Sequence, residues 1–113
     1  MNPEVKAKWV AALRSGEYKQ TEGQLRDGNK FCCLGVLCNL HAQTFPSVAA
    51  KEKAVESYRG STGALPKTVR RWAGLKSDIG AFLAEDGFMS SLAELNDDGT
   101  SFKKLAKIIE AKL

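Results

Sequence analysis

Apolar and polar positions recur along the chain with two different periods, and the changes of period mark the elements. In the opening MNPEVKAKWVAALRSG, Val5, Trp9, Ala12 and Leu13 fall at the spacing of one helical face. Asn2 can cap the first amides, Pro3 suits the first helical position, and Glu4 meets the positive end of the dipole. Ser15-Gly16 stops the run. From Tyr18 the helical period disappears. Asp27-Gly28 tolerates positive φ at both places, which predicts a hairpin between strands at 18–26 and 29–32.

The next stretch, FCCLGVLCNLHAQ, returns to the helical period. Cys33, Leu34, Leu37, Leu40 and His41 describe one face, and the opposite side carries Val36 and Cys38. A helix apolar nearly all round is a central, buried one. Gly35 inside it costs about 1 kcal/mol against alanine, which predicts a close crossing by another element. Ala49 to Tyr58 has helical propensity but a poor stripe, and Gly60 to Gly63 reads as a loop.

LPKTVRRWAGL reads as a short helix, with Pro66 at its first position, a stripe of Leu65, Val69 and Trp72, and a stop at Gly74. A second hairpin is predicted from Ile79 to Met89, turning near Glu85-Asp86-Gly87. A short helix over Ser91–Asn96 and a turn at Asp98-Gly99 follow. Thr100 or Ser101 then caps a last helix with Phe102, Leu105, Ile108 and Ile109 inward. The expected fold is one α+β domain over 1–113, a small antiparallel sheet of two hairpins packed with four or five helices.

Composition supports one folded domain. The chain has 113 residues, 43% hydrophobic and 27% charged, which excludes a disordered tail and a membrane protein. No apolar run reaches 18 residues, and the charged, amphipathic opening is not a signal peptide. Three cysteines within seven positions are not a disulfide framework; clustered thiols point to a reducing compartment, the cytoplasm. The net charge of +4 conceals segregation. Residues 1–76 carry 13 basic and 6 acidic side chains, residues 77–100 carry 6 acidic and no basic ones, and residues 101–113 carry 4 basic and 1 acidic. The acidic block can pair with the basic segments within the fold or between subunits of a homo-oligomer.

Candidate chemistry is sparse. Cys32, Cys33, Cys38 and His41 suggest zinc, but on a continuous helix Cys33 and Cys38 diverge by about 140°, so only a break at Gly35 would gather them. A thiol nucleophile at Cys32 or Cys33 needs a base, and the single histidine lies two turns further along the same helix. Glu94 to Gly99 mimics the start of a calcium loop, yet the twelfth position holds Leu105 where a bidentate glutamate is required. Ser91 to Leu113 resembles the first two helices of a helix-turn-helix unit, with Lys103, Lys104 and Lys107 as its cations and no recognition helix after them.

The Gly-rich loop 60–63 running into the helix at Pro66 offers a candidate anion site. Its residues are Lys67, Arg70 and Arg71, with Tyr58 and Trp72 as stacking partners; a solvated basic face with Trp72 in the core is the plainer alternative. The sequence implies no metal, no cofactor and no catalytic residue.

Four passages carry a resemblance: FCCLGVLCNL (31–40), ELNDDGTSFKKLAKIIE (94–110), the opening MNPEVKAKWVAALRSGEYKQ, and LPKTVRRWAGL. Together they resemble a widespread family of small bacteriophage and prophage proteins of unassigned function, over most of the chain outside 43–62. That family often carries Cys-Asp-Leu where this chain has Cys38-Asn39-Leu40. The resemblance implies a phage accessory protein in the host bacterial cytoplasm, with no catalytic residues to carry over. The expected function is non-enzymatic: countering host defence by binding a host component, with an anionic nucleotide-type signal as one ligand class. The alternatives are a nucleic-acid-binding protein using the C-terminal helix pair and an interaction module that blocks a host enzyme through an apolar patch.

Overall fold

The computed structural model describes residues 1–46 and 63–113. In chain order the described elements are α1 (Pro3–Arg14), β1 (Lys19–Gln20), β2 (Arg26–Asp27), β3 (Lys30–Phe31), α2 (Cys33–Thr44), α3 (Lys67–Ala73), β4 (Ala81–Leu83), β5 (Met89–Ser91), α4 (Leu92–Asp97) and α5 (Phe102–Lys112). Among the described residues, five helices and two small sheets make this an α+β fold. The predicted helix 49–58, most of the loop 60–63, and Tyr58 lie outside the described residues.

Capping follows the local chemistry. Asn2 accepts from the amides of Glu4 and Val5, Ser91 from Glu94, and Ser101, not Thr100, from Lys104. Pro66 occupies the N-cap, one place before its predicted position. Gly74 ends α3 with φ 73°, and the Leu75 amide reaches back to the Arg70 carbonyl, a Schellman closure.

α2 is the centre of the molecule. Cys33, Leu34, Gly35, Val36, Leu37, Cys38 and His41 are all buried. α1 lies against α2 and α5, burying Val5, Trp9, Val10 and Leu13; α5 contributes Phe102, Leu105, Ala106 and Ile109. The crossing predicted at Gly35 is made by Leu25. A Cβ on Gly35 would sit 1.7 Å from the Leu25 carbonyl oxygen, so only glycine fits.

The first sheet differs from the predicted hairpin. The stretch 18–26 does not run as one strand: it bends between Gln20 and Arg26, placing Leu25 in the core. β1 pairs parallel to β3, and β2 pairs antiparallel to it. The two-residue loop is Gly28-Asn29, one place later than expected, because Asp27 pairs with Lys30. The second hairpin forms as predicted, with Ala81 opposite Ser91, Phe82 opposite Ser90 and Leu83 opposite Met89.

Candidate functional site

The residues that make up the most distinctive motifs turn inward and hold the fold together. Asn96 is fully buried. Its Oδ1 accepts from the Cys33 amide and from Gln20 Nε2, each at 3.0 Å, and its Nδ2 donates to the Thr21 carbonyl at 2.8 Å. Trp9 Nε1 donates to the Cys33 carbonyl at 2.9 Å. Asp97 accepts from the Gly23 amide at 2.7 Å. The ELND and FCCLG passages are thus two halves of one internal brace, and the stretch that mimics a calcium loop spends Asn96 and Asp97 on backbone amides.

The cysteines belong to the same brace. Cys32 caps α2, its Sγ accepting from the Gly35 amide at 3.4 Å. Burial pushes the Cys32 thiol above its ordinary pKa, outweighing that amide, and pushes Cys33 up further. Among the described residues no three His, Cys, Asp or Glu side chains converge as a metal set. His41 packs its ring 4.7 Å from Phe45 and 5.2 Å from Trp72.

The four described residues of the predicted anion site do not all face one way. Lys67 and Arg71 are exposed, one turn apart on α3. Arg70 turns toward the far end of the helix, its Nη1 lying 3.4 Å from the Leu75 carbonyl and 3.5 Å from that of Lys76. Trp72 is half-buried and stacks edge-on against the α2 aromatics. Asn39 of α2 donates to the Tyr18 hydroxyl at 2.7 Å; an aspartate there would instead accept the hydroxyl proton of Tyr18, so either residue can bond it.

The surface that stands out is the β4–β5 hairpin. Leu83 is 57% exposed, Phe88 73% and Met89 67%, and Ile79 at the base is also exposed. Leu83 and Met89 oppose one another in the register, so one face of the hairpin presents an apolar pair. The bonds from the Ala84 amide to Phe88 and from the Leu92 amide to Gly80 make 84–88 and 80–92 the bonded rungs. Antiparallel alternation then turns the backbone groups of Leu83 and Met89 toward the outer edges. Asp86 shapes the turn by accepting from the Phe88 amide at 3.0 Å.

Against the hairpin lies a groove of about 600 Å³. Phe82, Ala84, Met89, Leu95 and Ile108 line it, together with Asp86, Glu94 and Lys107. Lys112 of α5 bridges to Glu85 at 2.8 Å, which holds the Glu85 carboxyl below its ordinary pKa.

The exposed residues were not singled out by the sequence reading, although a signal was present. Phe82-Leu83 and Phe88-Met89 place apolar side chains on successive positions of a short hairpin. Successive side chains point to opposite faces, so one of each pair faces water unless both faces are covered.

Fold and site together define a small α+β domain, braced by side chains bonded to buried backbone, that presents an apolar hairpin beside an open groove. The chain belongs to the family described as Domain of unknown function (DUF8296), whose model matches residues 1–113. Comparison with curated proteins and with solved structures gives no match.

Proposed function

We propose that this protein is a phage-encoded accessory protein without catalytic activity, which counters host defence by binding and blocking a host protein through the β4–β5 hairpin. The observation that carries the reading is the exposure of Leu83 and Met89 as a cross-strand pair, with Phe88 exposed beside the turn. Contiguous exposed apolar side chains edged by polar ones mark protein interaction sites. The resemblance of the four passages to small phage and prophage proteins supports the phage context. The hairpin is anchored at its base, where the amides of Leu92 and Ala93 donate to Gly80 and Ile79, so its tip projects from a fixed support.

The test is capture from host lysate with the full chain as bait. Wild type retains a host protein, and the double variant Leu83→Asp, Met89→Asp does not. Lys67→Ala with Arg71→Ala retains it. Capture unaffected by the hairpin variant refutes the reading. The competing reading, an anionic nucleotide-type ligand, rests on the exposed pair Lys67 and Arg71. It predicts calorimetric heat with a panel of nucleotide signals that Arg71→Ala removes.

A further inference from the structure

Resting on that reading, we propose that the partner presents a basic surface with a protruding apolar side chain, which enters the groove between the β4–β5 hairpin and α5. The groove supplies the apolar part. Phe82, Ala84, Leu95 and Ile108 line a space of about 600 Å³, within the range that accommodates an inserted group. Met89 lines it as well, and Leu83, opposite Met89 in the register, continues the apolar surface.

The charge supplies the rest. Residues 77–100 carry six acidic and no basic side chains. Of these, Glu85 is paired with Lys112 and Asp97 holds the Gly23 amide. Asp78 beside Ile79, Asp86 in the turn and Glu94 at the groove outnumber Lys107, which lines the groove beside the paired Lys112, so the face around the apolar residues is negative on balance. A partner approaching this face is steered by complementary positive charge, and like charge is repelled. A second copy docking hairpin to hairpin brings together two faces of the same net negative charge, which charge opposes. The occupant is therefore a different, basic protein.

The experiment takes the captured host protein, purified, and measures its affinity for the full chain at rising salt. The probes are wild type, Leu83→Asp, Asp86→Lys and Glu94→Lys. All three substitutions fall on exposed residues, and an unchanged melting temperature verifies folding. Leu83→Asp weakens binding by at least about 30-fold, as loss of a buried apolar anchor does. Asp86→Lys and Glu94→Lys each weaken it by about tenfold at low salt, and the wild-type affinity falls as salt rises from about 0.05 to about 0.5 M.

Loss with Leu83→Asp but indifference to salt and to both reversals overturns the basic-surface inference and leaves the hairpin reading standing. Indifference to Leu83→Asp overturns both. A wild-type chain that captures nothing, or that sediments as a dimer broken by Leu83→Asp, also overturns both.

Discussion

At Asn96 one carboxamide closes two gaps in the backbone hydrogen bonding of the core, at Cys33 and Thr21, and accepts from the Gln20 side chain, linking β1, the start of α2, and α4. Removing it leaves the Cys33 amide and the Thr21 carbonyl without that partner, and a buried polar group left unpaired costs about 1–3 kcal/mol. Asn96→Ala is therefore expected to lower the unfolding free energy by about 2–4 kcal/mol in urea titration. Gly35→Ala places a methyl against the Leu25 carbonyl and should cost more than about 3 kcal/mol or abolish folding, read by the same titration.

The buried thiols of Cys32 and Cys33 give a pH dependence of known sign. Their folded-state pKa values lie above the unfolded value, so the folded chain keeps protons that the unfolded chain releases. Their contribution is intact at neutral pH and is lost as pH rises through the ordinary thiol range, about 8.5 and above. Thermal melts should decline across that range, with a shallower decline in Cys32→Ser, Cys33→Ala. Of these residues, Gly35 was legible in the sequence, because a glycine in an all-apolar helix has few other uses. Asn96 was not, because asparagine before Asp-Asp-Gly is what any turn would carry.

Among the elements, the helices were legible and the first sheet only in part. Helical spacing and capping residues are local, so α1, α2, α4 and α5 follow from the pattern to within a position or two. The parallel pairing of β1 with β3 is a non-local arrangement, imposed when Leu25 leaves the strand to pack over Gly35. No alternation of polar and apolar residues announces it. The second hairpin was legible in its turn but not in its exposure. Because Leu83 and Met89 face water, aspartate at each should change stability by no more than about 0.5 kcal/mol per site, measured by urea titration. A larger loss would mean that these side chains support the core.

Over the whole molecule, the mild average charge conceals an acidic segment that includes the hairpin between two basic ones. Part of this is settled internally, through Lys112 with Glu85, and Arg14 pairs with Glu110 between the two basic segments. Of the cations predicted to hold an anion, Lys67 and Arg71 lie exposed one turn apart on α3, while Arg70 is drawn away to the carbonyls at its C-terminal end. A short sequence window reveals charge but not direction, which is why that cluster looked tighter along the chain than it is in space. No helix among the described residues is long and apolar enough to cross a membrane.

Backbone amide hydrogen exchange of the chain, alone and bound to its captured partner, tests the central claim most directly. The account predicts that binding slows exchange across residues 81–91 and at the facing end of α5, and leaves α3 unchanged. Slowed exchange over Lys67–Ala73 with an unchanged hairpin would contradict it.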